Sequence, residues 1–342
     1  MNILAITCMR NEGPHCLEWI AHHMAAGIGH FLIYTNDCDD GTDLLLDCLQ
    51  QAGIVTHIRQ ESGGDHPVQW QALNAARSHP KADWADWVLV SDCDEFINLR
   101  PPVLTLQEMI ELLPGDTDAV AMPWRLFGNA RLMEFRDALT IGQFCHAAPE
   151  SINLPLAHFF KSLFRPGAFR QYGVHRPKRK KDRIPVWVDG SGKKLPENVA
   201  SADHRINLFG VACGSDLVQL NHYSLRSTES FMVKRSRGLP NHTGRVIGLA
   251  YWVERNFNTV ADKTILAMQS QTSEKLTELL RIDGLQQLHD TAVLWHKSKF
   301  TKMMKDQENL QLFWRLVLAG DSQAPGSDAV VDHLERIKKS SL

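Results

Sequence analysis

The chain lacks every cysteine spacing that would hold zinc. Its seven cysteines, at positions 8, 16, 38, 48, 93, 145 and 213, form no CxxC pair. An odd and scattered set also argues against a disulfide framework and for reduced thiols. No GxGxxG follows the first predicted strand and no GxxxxGK[ST] occurs anywhere, so neither a Rossmann dinucleotide site nor a Walker phosphate loop is supported. A GxSxG nucleophile elbow is missing too. No window approaches the ~18 apolar residues of a membrane span. The first residues, MNILAITCMRNE, have no basic stretch followed by a long apolar one. The resulting expectation is a cytoplasmic protein with no transmembrane segment, for which peripheral membrane contact stays open. With a net charge of −2, 44% hydrophobic and 22% charged residues, the composition is that of an ordinary globular chain and carries no signal for nucleic acid.

Charge is present, but it is unevenly placed. Residues 1–150 hold 8 Lys+Arg against 21 Asp+Glu, whereas residues 151–342 hold 29 against 18. Two such halves attract each other, either as oppositely charged solvated faces or around a cation and an anionic ligand.

Along the first half, apolar β-branched runs alternate with helical periodicity. Strands are predicted over 3–7, 31–34, 54–58, 87–90 and 119–122. Between them, Leu17, Ile20, Ala21 and Met24 follow Pro14 at helical spacing, and further helices are predicted over 44–51 and 69–77, with a Gly-Gly loop at 63–64. This alternation predicts an α/β fold with a mostly parallel, doubly wound sheet, helices on both faces and a ligand crevice at the strand C-termini. Polar clusters fall at three of those ends: Arg10-Asn11-Glu12, residues 36–40, and Asp92 to Glu95. From 124 to 222 the pattern loosens, and the basic run RPKRKKDR at 176–183 reads as a solvated loop. Residues 259–319 regain helical periodicity, and a flexible linker leads to a short last helix.

The stretch WVLVSDCDEF, residues 87–96, carries the most chemistry. Alternation in an extended chain would send Asp92 and Asp94 to one side and Cys93 into the sheet. Paired carboxylates repel unless a cation neutralises them, and oxygen ligands suit Mg²⁺ or Mn²⁺ shared with substrate phosphates. By geometry alone, a metal site and an acidic strand end both stay open.

Taken in order, MRNEGPHCLEWIAHH, HFLIYTNDCDDGTDLLLDCL, QALNAA, WVLVSDCDEFI, KSLFRP and NHYSLRSTESFMVKRSRG resemble bacterial proteins grouped with glycosyltransferase family 2 and the related family 92, across residues 1–240. The DxD closing the fourth strand is similar to the signature of GT-A glycosyltransferases. The resemblance implies a GT-A-like domain over 1–250, with a nucleotide-binding half at 1–123 and an acceptor half at 124–250. A helical region at 251–320 and a linker with a terminal helix at 321–342 follow. It implies metal-dependent, inverting transfer from a UDP- or GDP-sugar to a glycan or lipid-linked acceptor. Arg10, Asn11 and Glu12 would border the nucleotide, Asp37 its base or ribose, and Gln69 and Asn74 the donor pocket. Asp92, Asp94 and His222 would hold Mn²⁺ or Mg²⁺, with Glu95 orienting the loop. Arg226, Lys234 and, more weakly, Lys161 and Arg165 would face the diphosphate. The acid pair that supplies the base in family 2 is missing from RQYGVHRPKRK. His175 takes that role first, ahead of Glu134, Asp137 and Asp203.

Two other readings compete. Sugar nucleotidyl transfer or phosphoester hydrolysis also uses strand-end acids, but CMRNEGP is a poor Gly-rich loop, and a dehalogenase-like phosphatase places its DxD after the first strand. A non-catalytic glycan- or protein-binding scaffold would leave the clustered carboxylates without a use.

Overall fold

The computed structural model describes residues 1–61, 67–238, 247–326, 328 and 330–332. The expected Gly-Gly loop at 63–64 and most of the expected terminal helix lie outside them.

The strands are β1 (Ile3–Met9), β2 (His30–Thr35), β3 (Val55–Arg59), β4 (Trp87–Val90), β5 (Glu95–Leu99), β6 (Ala119–Leu126) and β7 (His146–Ala147). They continue with β8 (Phe160–Phe164), β9 (Phe169–Gln171), β10 (Lys178–Arg179), β11 (Trp187–Val188), β12 (Val218–His222) and β13 (Val260–Ala261). The main sheet runs β3-β2-β1-β4-β8-β6-β12-β5, with β11 beside β6. Its first four strands are parallel, as are β6–β12 and β6–β11, while β8 and β5 run against their neighbours. This is the mostly parallel α/β arrangement that the alternating pattern predicts, with two reversed strands that the pattern does not show.

Period-two alternation divides each strand between two cores. Ile3 and Ala5 enter one hydrophobic cluster with Leu17, Ile20 and Phe96, whereas Leu4 and Ile6 enter another with Leu73, Phe160 and Trp187 on the opposite face. The helix Gly13–Ala25 begins at a proline, whose missing N–H costs nothing in the first turn, and ends before Gly27 at φ 97°. It is buried along most of its length because it lies between the sheet and the helix Gln269–Leu280. His22 joins these layers, with Nε2 2.6 Å from the Ile97 carbonyl and Nδ1 3.0 Å from Thr272 Oγ1. The helical C-terminal region is therefore docked on the chain's own core.

The loosely patterned middle of the chain contributes three strands to the main sheet, β8, β11 and β12. Nor is the basic run at 176–183 simply a solvated loop. Arg176 is buried over the Trp187 ring at 4.2 Å and donates to the Ala200 carbonyl, and Lys178–Arg179 forms β10. Only its end fits the expectation: Lys180 to Arg183 is exposed. Aromatic cover and backbone carbonyls give the first two arginines, Arg176 and Arg179, partners that the sequence does not advertise.

Buried histidines make the fold acid-sensitive. His23 sits among Trp19, His22 and Phe96, and burial, helped by His22, pushes its pKa down to about 3. The folded state keeps it neutral while the unfolded chain protonates near 6.5, so its contribution is intact above that pH and is lost as pH falls towards 3. His23→Leu is expected to gain on the native chain by about 1.4 kcal/mol for each pH unit below 6.5. Urea unfolding at pH 7, 6 and 5 measures this, and a constant difference between the two proteins would refute it.

Candidate active site

All parallel strands of the main sheet end at one edge, and the reversed strands β5 and β8 begin there. The chain ends of β1, β4 and β12 thus meet the first residues of β5 and β8. The Asp92-Cys93-Asp94 motif lies between β4 and β5 as a tight turn, not as the strand extension expected from alternation. Cys93 packs into the core, and the two carboxylates receive separate partners.

Asp92, whose side chain is 34% exposed, accepts from Gln69 Nε2 at 2.9 Å and from Lys161 Nζ at 2.9 Å. Lys161 has 0% of its side chain exposed and also stands 3.4 Å from Glu95, which is likewise fully buried. Glu95 Oε2 accepts from the Asp92 backbone N–H at 2.8 Å and from Ser91 Oγ at 3.0 Å, so this carboxylate closes the turn. Burial raises the Glu95 pKa to about 8 against the pull of Lys161. Lys161 is raised as well, because Asp92 and Glu95 outweigh its burial.

Asp94 is buried beside Lys234, at 2.6 Å, and His222 Nε2, at 3.7 Å. Burial alone would push its pKa up, but Lys234 and His222 hold it well below the usual carboxylate range. Burial lowers His222, leaving a neutral imidazole against the Trp124 ring at 4.1 Å. Lys234 lies on the helix Thr228–Arg237, capped by Ser227, and also donates to the Ser224 carbonyl. Arg226 donates to the Cys93 carbonyl at 2.9 Å and pairs with Glu12 at 3.4 Å. Arg237 pairs with Glu12 too and donates to the Arg10 carbonyl.

Backbone strain gathers here. Of the five non-glycine residues with positive φ among the described residues, Asn11 (52°), Asp37 (47°) and Arg226 (54°) are expected site residues. Asn and Asp tolerate that region through local hydrogen bonds, but an arginine there must be held by its surroundings. The Glu12 and Cys93 contacts supply that hold. Asn11 exchanges hydrogen bonds with Asp39, and Asp37 accepts from Asn36 at the tip of the next loop.

Several expected residues lie elsewhere. Asn74 is exposed and accepts from Gln171; five residues from Gln69, it points about 140° away around the helix. Arg165 follows the far end of β8, over the Trp87 ring at 4.5 Å. Asp137 is tied to His289, Asp203 accepts from the Arg179 backbone, and Glu134 is exposed. His175 is half-buried between Trp124 and Phe159, with Nδ1 3.1 Å from the Phe160 carbonyl. Burial and the nearby Lys161 push its pKa down to about 3. Arg237 and Trp124 were missed. Arg237 was readable in principle, because it stands one helical turn after Lys234.

A divalent ion fits the chemistry of this donor set, since Asp94 is held ionised and His222 neutral, the states that bind metal. Among the described residues, no group of three His, Cys, Asp or Glu side chains is gathered closely enough to hold an ion by itself. That suits Mg²⁺ or Mn²⁺ only where phosphate and water complete the shell.

The structure is thus an α/β protein whose sheet edge carries an acidic turn ringed by cations. The glycosyltransferase family 92 profile matches residues 11–191, more than half of the chain, and the protein belongs to that family. The match spans Asn11 to His175 of the candidate residues and stops before His222, Arg226 and Lys234. A family 92 protein of Ricinus communis is 28% identical over 173 residues, which is 47% of this chain and 28% of that protein. One of Oryza sativa subsp. japonica is 30% identical over 175 residues, 47% of this chain and 26% of its own. The chain thus spans little more than a quarter of these relatives. Staphylococcus aureus TarS 1–349 overlays with a TM-score of 0.35 and 13% identity, covering 83% of this chain and 74% of that one. An overlay this loose carries no residue correspondence. No helix among the described residues is long and apolar enough to cross a membrane.

Proposed function

We propose that this protein transfers a sugar from a UDP- or GDP-sugar to a glycan or lipid-linked acceptor, with inversion and with the help of Mn²⁺ or Mg²⁺. Family membership supports the reaction class. The observation that carries the mechanism is the convergence of Lys161, Arg226, Lys234 and Arg237 on the acidic turn at the strand ends. Four cations face Asp92, Asp94 and Glu12, and with Glu95 kept protonated by burial one positive charge is left over, as a departing diphosphate requires. Residues 1–123 are the proposed donor half, 124–250 the acceptor half and 251–320 a supporting helical region.

Arg10, Asn11, Glu12, Asp37 and Gln69 border the donor in this reading; exposed Asn74 is a rim residue. Asp94 and His222, with Asp92 alongside, would hold the ion, which supplies Lewis-acid neutralisation of the leaving group. Lys234 and Arg226 face the same charge from the protein side, preorganised by burial so that they need not reorient. His175 is the proposed base. If its Nδ1–H donates to the Phe160 carbonyl, Nε2 keeps a lone pair, and an arriving diphosphate would raise its affinity for a proton.

The test is nucleotide release measured across UDP- and GDP-sugars with Mn²⁺, repeated in EDTA. Release should require one matching donor and the ion. Full rate in EDTA removes the metal from the reading, and failure to bind or cleave any donor removes transfer itself.

A further inference from the structure

The helix Gln307–Ala319 packs Leu312, Phe313 and Leu316 against a cluster that includes Phe231, Tyr251 and Trp252. Its other side is apolar as well. Leu310, Trp314 and Leu318 stand at i, i+4 and i+8, one above another on a single face, and are 41%, 52% and 81% exposed. The corner leading into this helix is basic: Lys297, Lys299, Lys302 and Lys305 lie in a stretch, 291–305, that contains no acidic residue. Arg315 adds a cation beside the stripe. The nearby acids, Asp306 and Glu308, belong to the helix start, where Asp306 caps the Asn309 N–H at 2.9 Å.

We infer that this face docks on an anionic phospholipid bilayer, with Trp314 and its flanking leucines in the acyl boundary and the lysine corner among the headgroup phosphates. A tryptophan-bearing apolar stripe with a cationic rim is the composition of interfacial helices, and anionic leaflets attract such rims. A symmetric pairing of two copies is disfavoured by the same charges, because an isologous interface would set one lysine corner against another. The inference needs nothing from the transfer chemistry. It would nevertheless bring the crevice close to the membrane, since the helix Thr228–Arg237 turns Lys234 towards Asp94 and Phe231 towards the C-terminal helices.

Co-sedimentation of the full chain with vesicles of phosphatidylglycerol and phosphatidylcholine, and with phosphatidylcholine alone, tests this. Binding is expected only to the anionic vesicles and should weaken with salt. Lys302→Gln and Lys305→Gln should each cost about fivefold in affinity. Trp314→Ser with Leu318→Ser should abolish binding while thermal unfolding and nucleotide release in solution stay unchanged, as both residues are exposed. Equal sedimentation of that double variant, or no binding to anionic vesicles, overturns the inference. So does a dimer, seen by light scattering, that the double variant dissolves.

Discussion

Asp94→Asn is expected to lower sugar transfer by about 10²- to 10³-fold, the range seen when one preorganised electrostatic group is removed from a reacting centre. The substitution keeps the size of the side chain and removes its charge. That charge holds Lys234 at 2.6 Å and faces a neutral His222 at 3.7 Å. Without it the crevice loses its proposed metal ligand, and Lys234 is left buried without its counter-ion. Lys234→Gln should therefore also reduce turnover, through weaker stabilisation of the leaving diphosphate. Nucleotide release at saturating donor gives the rate, and calorimetric donor binding separates lost chemistry from lost affinity. Native turnover by Asp94→Asn would remove this residue from the mechanism.

The second large effect is on stability. Lys161→Met is expected to cost about 3–5 kcal/mol at pH 9, where Glu95 is ionised in the native chain, the penalty for breaking a buried ion pair by deleting one partner. Lys161 Nζ is the cation shared by Asp92 and Glu95, and both it and Glu95 are fully withdrawn from water. Removing it strands a carboxylate in the core under the acidic turn. Adding Glu95→Gln should recover a large part of the loss, because the stranded group is then neutral and can still accept from Ser91 and the Asp92 N–H. Urea unfolding of the two single variants and the double at pH 9 gives the coupling directly. If the single lysine variant does not fold, the folding of the double variant carries the test. A loss below 1 kcal/mol for Lys161→Met, or no rescue, would show that the turn does not rest on this pair.

What was legible in the sequence follows from local physics. Strands β1 and β4 announced themselves because a strand buried on both faces reads as a continuous apolar run, as ILAI and WVLV do. The acidic turn was legible because charge cannot follow such a run without a reason. Less legible was the path from 124 to 222. Its strands are short, three of them only two residues long, and β8 gives up its apolar pattern at Lys161. A lysine inside FKSLF reads as a surface pair until the partners of its ammonium are known. Asn74 shows the opposite error: the family resemblance implied a pocket shared with Gln69, and helical rotation turns Asn74 to the exposed side.

By itself the sequence determined the α/β class, the edge of the sheet where chemistry would gather, and Asp92 and Asp94 as the residues to watch. These depend on side-chain periodicity and strand order, which are local. Only the tertiary structure decided how the carboxylates are neutralised. The reversal of β5 and β8 brings Glu95 and Lys161 to the crevice from strands that start where their neighbours end, and the helix after β12 delivers Lys234 and Arg237 from far along the chain. Such pairings are set by sheet topology and burial, and a buried charge takes its partner from whatever element the fold places beside it.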